Sequence, residues 1–339
     1  MKLTLEQLRS ITTGAVSVEQ AEDGFHFYRF TPEQMNLCQP HVRLYDQKLL
    51  VTAGVRFSFR TDSTTLYLRA ALSPGTARSY FSFDLTINGV RTDSLENVSH
   101  LPFPKDDPTY PCPLGLHEKT FDLGPGAKDI CLYFPWSVIP VLEELSVDEG
   151  TCVTPLFPPK KLLVYGDSIS QGYDGFHPCD HYVSRLARAL DAQVLNKAIG
   201  GSTSFPEMVR AKDAFDPDYI LVAYGTNDWS LFDEASFVRQ YRATHQAIQD
   251  NYPHAQVFAL TPIWRADFDQ PRKFGLFSTV DALIHSIAAD FPNVTAISGF
   301  DFVPKDPDFF ADRRLHPNDA GFDHYFNNLW PQIKAALKE

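Results

Sequence analysis

The sequence predicts an antiparallel β-sandwich followed by an α/β domain that is built on a parallel sheet. From about Gly24 to Asp148, apolar and polar residues alternate with a period of two, as in strands that bury one face. After residue 160, short apolar runs alternate with amphipathic segments of helical period, a pattern typical of a parallel sheet covered on both faces. The stretch 149–160 carries three prolines and reads as a linker, so we divide the chain into residues 1–155 and 156–339.

The first half shows many short strand patterns and no long helical one. In residues 55–60 (VRFSFR), apolar and polar side chains alternate, and they do so again in 81–86 (FSFDLT). The dipeptide Asn88-Gly89 predicts a tight hairpin turn. One short helix is predicted at Leu3–Ser10, before the first strand. Short strands joined by turn residues favour a sandwich.

In the second half, the apolar runs predict five buried strands, and the segments between them predict helices. The strands are expected at 162–165, 194–199, 219–225, 257–262 and 294–297. The helices are expected at 181–191, 205–215, 235–252, 278–291 and 318–338. This order of elements indicates an α/β fold.

The charge and composition of the chain disfavour several classes of binding partner. The chain of 339 residues has a formal net charge of −12, which disfavours binding to nucleic acid and to anionic membranes. No apolar run is long enough for a signal peptide or a membrane span, so we expect a cytoplasmic protein. The five cysteines are far apart and form no CxxC pair, so neither a disulfide framework nor a structural zinc site is expected. No cofactor or metal is predicted, and the oligomeric state is left open.

Polar residues follow three of the predicted strands. These segments are Gly166-Asp167-Ser168, Gly200-Gly201-Ser202 and Gly225-Thr226-Asn227-Asp228, and an Asp312…His316 pair precedes the last helix. The carboxyl ends of parallel strands meet at one edge of a sheet, where ligands bind. A hydroxyl, backbone N–H donors, a carboxamide and an Asp/His pair are the groups that acyl transfer needs.

These four segments, in this order, resemble the sequence blocks of the SGNH (GDSL-type) hydrolase family, over roughly residues 160–337. The resemblance implies a flavodoxin-like, three-layer catalytic domain. It implies that Ser168 is the nucleophile and His316 the base, and that the oxyanion hole is formed by Ser168, Gly201 and Asn227. The preceding sandwich resembles the jelly-roll-like domain of some SGNH carbohydrate esterases, so the first domain is a candidate carbohydrate-facing domain.

The acid of the triad departs from the family pattern, which is usually Asp-x-x-His. Here Arg313 stands three residues before His316, and Asp312 stands four before it. Asp312 remains our choice if the loop bulges by one residue, because a triad needs a geometry and not a fixed spacing. Asp306, Asp308 or a backbone carbonyl are the alternatives.

Each candidate also has a structural interpretation. The Ser168 hydroxyl is in a position to cap a helix. Trp229 and Trp264 follow strands and are candidates for the wall of an acyl or sugar pocket, with core packing as the alternative. His177 and His181 have a metal-ligand spacing, but Pro178 between them favours a loop at the rim of the site.

Together, these residues and the resemblance predict a serine esterase that hydrolyses small acyl esters of a carbohydrate, with acetyl as the expected acyl group. Its substrate is expected to be a small-molecule or oligosaccharide ester. An acyltransferase, a lipase or thioesterase with the same triad, and a non-catalytic carbohydrate-binding protein are the alternatives.

Overall fold

The computed structural model of the chain describes residues 1–38, 45–98 and 107–337. Its described residues form two antiparallel sheets in the N-terminal region and one parallel sheet in the C-terminal region, which confirms the predicted fold class. The strands of the N-terminal region are β1 (Thr12–Thr13), β2 (Ser17–Ala21), β3 (Gly24–Tyr28), β4 (Arg56–Thr61), β5 (Thr65–Pro74), β6 (Ser82–Ile87), β7 (Val90–Glu96), β8 (Gly115–Asp122), β9 (Lys128–Tyr133), β10 (Val138–Val147) and β11 (Thr154–Pro155).

The two antiparallel sheets interleave strands that are distant along the chain. One sheet has the order β1-β4-β9-β6-β7, and β11 also pairs with β4. The other has the order β2-β3-β10-β5-β8. The division of the chain after residue 155 stays a prediction, but the strands change sheet near it, since β11 ends at Pro155 and the next strand begins at Lys160.

The predicted hairpin turn at Asn88-Gly89 is confirmed. Ile87 pairs with Val90, so these two residues alone connect β6 to β7. Asn88 has φ 51° and Gly89 has φ 83°. Positive φ at both central residues is the conformation that tight hairpins require and that Asn-Gly tolerates best.

Aromatic side chains fill the space between the two antiparallel sheets. The ring of Phe134 lies 4.9 Å from that of Phe27, 5.0 Å from that of Phe57 and 5.2 Å from that of Phe83, between ring centres. All four rings are buried. Burying one such side chain contributes roughly 1.5–3 kcal/mol, so this cluster is a principal source of stability for the N-terminal region.

The strands of the C-terminal region form a parallel sheet of the order β13-β12-β14-β15-β16. Numbered within the sheet, this order is 2-1-3-4-5, which is the flavodoxin-like arrangement. The first residue of each strand lies within two positions of the first residue of the apolar run that predicted it. The strands are β12 (Lys160–Gly166), β13 (Ala192–Asn196), β14 (Tyr219–Ala223), β15 (Gln256–Leu260) and β16 (Val294–Ile297).

Helices cover both faces of the parallel sheet, as predicted. Leu162 and Val164 of β12 face one helical layer, and Leu163 and Tyr165 face the other, because side chains alternate along a strand. The helices of the C-terminal region are α4 (Ser168–Gln171), α5 (Tyr182–Ala189), α6 (Pro206–Arg210), α7 (Thr226–Leu231), α8 (Glu234–Asn251), α9 (Ser278–Ala288) and α10 (Asp319–Ala336), with a 3₁₀ turn at Pro307–Phe309.

In the described part of the N-terminal region there are three short helices, where the sequence predicted one. Helix α1 (Leu5–Ile11) begins later than predicted, because Thr4 caps it: the Thr4 hydroxyl accepts from the Gln7 N–H at 3.3 Å. Helices α2 (Pro32–Cys38) and α3 (Tyr45–Leu50) were not predicted. They are too short to show a helical period, and they contribute buried residues to the core of the C-terminal region.

The two regions share a polar interface. The guanidinium of Arg29 is buried and donates to the carbonyls of Asn196 at 2.6 Å and Ala198 at 3.1 Å, just after β13. Arg56 is also buried and reaches the carbonyl of Ala192 at 3.4 Å. The N-terminal region therefore binds directly to the segment that leads into the Gly200-Gly201 turn. Within the described residues, no helix is both long enough and apolar enough to cross a membrane.

Candidate active site

The four predicted segments lie at the carboxyl edge of the parallel sheet. Ser168 follows β12, Gly201 follows β13 and Asn227 follows β14. In a sheet of order 2-1-3-4-5, the strand order reverses between strands 1 and 3, which are β12 and β14 here, and ligands bind in the crevice at this point. Ser168 and Asn227 stand on either side of that crevice.

A crowded turn presents Ser168. A Cβ on Gly166 would lie 2.7 Å from the hydroxyl oxygen of Ser170, so only glycine fits at the end of β12. Asp167 caps the short helix α4 by accepting from the Ile169 N–H at 2.9 Å. The alternative that the Ser168 hydroxyl caps this helix is therefore wrong, and the hydroxyl is directed to another partner.

That partner is His316. The Ser168 Oγ lies 2.9 Å from the His316 Nε2, and the His316 Nδ1 lies 2.7 Å from the Asp312 Oδ2. The second carboxylate oxygen of Asp312 accepts from the N–H groups of Arg314 (3.0 Å), Leu315 (2.7 Å) and His316 (3.1 Å). The loop therefore holds one oxygen and leaves the other facing the imidazole.

The extra residue between Asp312 and His316 is accommodated by a left-handed residue. Arg313 has φ 55°, a conformation that few non-glycine residues adopt. This turn folds the loop back so that an aspartate four residues before the histidine reaches it. Asp306 instead caps the 3₁₀ turn, and Asp308 pairs with Arg313 at 3.0 Å.

The electrostatics of Asp312 fit an ionised carboxylate. Burial alone raises its pKa, but the hydrogen bond and charge of His316, with the N–H groups of Leu315 and His316, hold the pKa below its usual value. The carboxylate is thus charged at neutral pH and faces the ring nitrogen that carries the proton when Nε2 accepts from Ser168.

The turn after β13 is shaped by two glycines. A Cβ on Gly200 would lie 2.7 Å from the Tyr173 ring, and Gly201 has φ 85°. The Gly200 N–H donates to the Gln171 side chain at 2.7 Å, and the Gly200 carbonyl accepts from the Lys48 ammonium at 2.8 Å. The turn is therefore held from both sides.

Asn227 is oriented by the same turn. Its Nδ2 donates to the carbonyl of Ser202 at 2.9 Å, which leaves a second N–H on the amide. Asp228 is buried and has a structural role, because its carboxylate accepts from the N–H groups of Ser204 (2.9 Å) and Gly225 (3.0 Å). Asp228 thereby ties the β13 turn to the start of α7.

Both tryptophans that the sequence suggested for a pocket wall are buried. Trp229 is 0% exposed, donates its indole N–H to the Gly275 carbonyl at 3.0 Å and lies under the Arg265 guanidinium, 4.9 Å from the ring centre. Trp264 is 7% exposed and packs on Phe310 at 5.2 Å. The pocket prediction is wrong for Trp229, which packs in the core because segments distant in sequence cover its ring. Trp264 is nearly as buried.

Sequence reasoning missed the aromatic support of the histidine. The ring of Tyr173 lies 5.4 Å from that of His316, and Trp136 from the N-terminal region lies 4.8 Å behind Tyr173. The Trp136 indole donates to the Gly175 carbonyl at 2.7 Å. A tyrosine two residues after the end of the nucleophile helix was the signal that the sequence offered.

Sequence reasoning also missed a second carboxylate beside the histidine. The Asp174 Oδ2 lies 3.6 Å from the His316 Nδ1, and Arg78 of the N-terminal region binds Asp174. Asp174 is close to Ser168 in sequence and could have been singled out. Arg78 could not, because it lies in the loop between β5 and β6, and nothing in its local pattern marks it as a neighbour of a catalytic loop.

The histidines of the rejected metal motif have other partners. The His177 Nδ1 lies 2.9 Å from the buried carboxylate of Asp84 in β6. His181 caps α5, and its Nε2 lies 2.9 Å from the Ile169 carbonyl. Both side chains therefore fasten the loop after Ser168 rather than face a common centre.

In the described part of the chain, one group brings three potential metal ligands within 4.8 Å of one another, namely Asp174, Asp312 and His316. Arg78 binds both oxygens of Asp174, and both ring nitrogens of His316 face hydrogen-bond partners. These contacts suit proton transfer between Ser168 and His316.

Asp167 makes stability depend on pH. Burial raises the pKa of Asp167 from 3.8 to about 7, against the opposing hydrogen bond from Ile169. The folded protein then binds more protons than the unfolded chain between those values, so stability is lost as pH rises through this window. Asp167→Asn keeps an oxygen for the Ile169 N–H and removes the titration. We expect unfolding in urea to show a smaller loss of stability between pH 5 and 8 in Asp167→Asn than in the wild type; equal losses would contradict this assignment.

The segment from residue 164 to residue 324 matches the GDSL-like lipase/acylhydrolase family. It contains the proposed triad and oxyanion-hole residues Ser168, Gly201, Asn227, Asp312 and His316. The matched segment runs from within β12 to within α10. The chain is therefore an enzyme of the class that hydrolyses ester bonds. No curated protein sequence matches the chain.

Solved structures resemble the GDSL domain together with the region before it. The salicylyl-acyltransferase SsfX3 of a tetracycline biosynthetic pathway is 20% identical, with a TM-score of 0.76 over 96% of this chain and 94% of its own. A family 2 carbohydrate esterase with a carbohydrate-binding domain, from Corynascus thermopiles, is 20% identical, with a TM-score of 0.63 over 95% of this chain and 100% of its own. The acetyl xylan esterase Est2A of Butyrivibrio proteoclasticus is 14% identical, with a TM-score of 0.57 over 84% and 90% of the two chains. These likenesses concern the fold.

Proposed function

We propose that this enzyme is a serine esterase that removes small acyl groups from carbohydrate, with acetyl as the preferred group. One observation carries the catalytic part of the proposal. Ser168, His316 and Asp312 form a continuous hydrogen-bonded series, with 2.9 Å between the Ser168 Oγ and the His316 Nε2 and 2.7 Å between the His316 Nδ1 and the Asp312 Oδ2. This is the order of contacts in a serine nucleophile, a base and the acid that orients the base.

In this mechanism, the Ser168 oxygen attacks the ester carbonyl while His316 takes its proton. The tetrahedral intermediate collapses to an acyl-serine as His316 gives that proton to the leaving alcohol. Water then attacks the acyl-serine, His316 again accepts and returns a proton, and the carboxylic acid leaves. Asp312 stays ionised throughout and stabilises the imidazolium that forms in each half-reaction.

The negative charge on the carbonyl oxygen needs donors that are already in place. We assign this role to the N–H groups of Ser168 and Gly201 and to the free N–H of Asn227. The Ser202 carbonyl holds the Asn227 amide, and Gln171 and Lys48 hold the Gly200 end of the turn. Donors fixed in this way cost no reorganisation during reaction, and losing one typically raises the barrier by about 3–4 kcal/mol.

The substrate class is supported by the architecture and not by a pocket. An antiparallel region followed by a GDSL domain is also the arrangement of the carbohydrate esterase and the acetyl xylan esterase described above, over most of each chain. These relatives favour an acetylated carbohydrate. The experiment that tests the proposal is acetate release from a panel of acetylated mono- and oligosaccharides. Turnover of p-nitrophenyl acetate with no release from any sugar ester would leave an esterase of another substrate class.

An acyltransferase is the second candidate, because SsfX3 has the highest TM-score of the structures described above, 0.76. The two functions share the acyl-serine and differ in whether water or an alcohol attacks it. The partition of the acyl group between acid and ester, measured with sugar alcohols added as acceptors, distinguishes them. Transfer that exceeds hydrolysis at millimolar acceptor would favour the acyltransferase.

The chain length of the acyl group gives a further prediction. If the acyl site is small, kcat/KM should be higher for p-nitrophenyl acetate than for the octanoate. A site able to bury a longer chain gains about 0.8 kcal/mol for each methylene, so kcat/KM would rise steadily with length. The measurement is kcat/KM for the acetate, butyrate, hexanoate and octanoate. A steady rise would replace the deacetylase proposal by a lipase or thioesterase.

A further inference from the structure

The loop after the nucleophile helix holds a carboxylate in an unusual conformation. Asp174 has φ 70°, which is rare for a residue with a side chain, and its side chain is 0% exposed. A buried carboxylate needs partners, and those of Asp174 come from the N-terminal region, close to 100 residues earlier in the chain.

Arg78 and Tyr80 satisfy both oxygens of Asp174. The Arg78 Nε donates to Oδ1 at 2.6 Å and its Nη2 donates to Oδ2 at 3.0 Å, while the Tyr80 hydroxyl donates to Oδ1 at 2.7 Å. Burial opposes the charge of Arg78, but Asp174 raises the pKa of the guanidinium overall. This two-point pairing fixes the position of the carboxylate as well as balancing its charge.

The same carboxylate faces the base of the proposed triad. The Asp174 Oδ2 lies 3.6 Å from the His316 Nδ1, on which Asp312 already forms a hydrogen bond at 2.7 Å. Two unpaired carboxylates at one ring nitrogen would bind the proton of the imidazolium too tightly for a base that works near neutral pH. Arg78 cancels the charge of one of them.

The aromatic ring of Tyr173 completes this arrangement. The Arg78 guanidinium lies 5.6 Å from the centre of the Tyr173 ring, and that ring lies 5.4 Å from the ring of His316. Asp174 and Tyr173 therefore each lie between the Arg78 guanidinium and the His316 ring and contact both groups.

We propose that Arg78 is a positioning residue of the active site. It acts on His316 through Asp174, by holding this carboxylate beside the Nδ1 edge of the ring and neutralising its charge. The N-terminal region is thereby part of the machinery that sets the pH range of the base. This inference rests on the proposed role of His316 as the base.

Four titratable groups around His316 enter the pH dependence. Asp312 and Asp174 face the Nδ1 edge of the ring, Arg78 binds Asp174 from the N-terminal region, and Asp167 acts on the ring from the nucleophile turn. Only the Arg78 and Asp174 charges differ among the variants below, so shifts between them report this pair.

The test compares the acid limb of the pH profile of kcat/KM for three variants with p-nitrophenyl acetate as substrate. Arg78→Met leaves the Asp174 charge uncompensated, so the limb should move to higher pH by about one unit. Asp174→Asn leaves an unpaired cation near the ring, so the limb should move to lower pH by about one unit. The double variant Arg78→Met/Asp174→Asn removes both charges and should return the limb toward the wild-type position.

Arg56→Met is the matched control. Arg56 is a buried arginine that also joins the two regions, but its side chain contacts Thr13, Tyr133 and the Ala192 carbonyl, away from the site. This variant should lose stability and keep the wild-type pH profile. If Arg78→Met does not fold, the difference in the acid limb between Asp174→Asn and the double variant still measures the effect of the guanidinium charge.

The proposal is overturned if the limb stays within about 0.2 units of the wild type in the folded variants, or if Arg56→Met moves it equally. A failure of this inference is distinct from a failure of the proposed function. If His316→Ala retains activity, the assignment of the base is wrong; if His316→Ala is inactive while the limb does not move, only the role of Arg78 is wrong.

Discussion

Ser168→Ala is expected to reduce kcat/KM for p-nitrophenyl acetate by at least about 10⁴-fold, because it removes the proposed nucleophile. The fold should be unchanged. The hydroxyl contacts the His316 Nε2 and does not cap α4, since Asp167 has that role. The measurement is steady-state kinetics together with the unfolding midpoint in urea.

Ser170→Ala is the matched control, two residues further along the same short helix. The Ser170 hydroxyl lies 2.6 Å from the Tyr182 hydroxyl in the buried interior. Its removal takes one hydrogen bond from the Tyr182 hydroxyl, which keeps its interaction with Tyr325. The loss should cost about 0.5–1.5 kcal/mol of stability and leave kcat near the wild-type value. Activity that survives in Ser168→Ala, or is lost equally in both variants, would remove Ser168 from its role. A wild type without turnover on any ester would point to a carbohydrate-binding protein.

Asp312→Asn is expected to lower kcat by about 10⁴-fold, the size of the effect when the acid of a serine protease triad is replaced by its amide. The asparagine oxygen can still accept the three backbone N–H groups of the loop. Its NH₂ group then faces the His316 Nδ1, so the ring is driven to carry its proton on Nε2. In that tautomer, the ring cannot accept the proton of Ser168.

The pH profile separates this effect from a loss of structure. A carboxylate beside the ring favours the protonated imidazole, so the acid limb of kcat/KM should move to lower pH in Asp312→Asn. Asp308→Asn is the control, since Asp308 pairs with Arg313 of the same loop and not with His316. His316→Ala sets the level of activity without a base. A fall of less than 10-fold in Asp312→Asn with an unmoved limb would leave a Ser-His dyad that is oriented by another group.

The architecture could be predicted because it depends on local periodicity. The apolar runs became β12 to β16 and the amphipathic segments became the helices around them, since a strand buried on both faces is apolar throughout. Ser168, Gly201 and Asn227 could be singled out for the same reason. Each lies within five residues of the end of a strand, and the rule that parallel strands end at one edge places them together.

The sequence by itself determined the order of the strands and helices and the residue types at the strand ends. Tertiary structure alone decided which aspartate reaches His316, because this depends on the left-handed turn at Arg313. It also decided that Trp229 lies in the core and that Arg78 stands behind Asp174. The contacts of Trp229 and Arg78 join segments far apart in the chain. A local pattern cannot show them, because each of these side chains is selected by a neighbour that only the folded chain supplies.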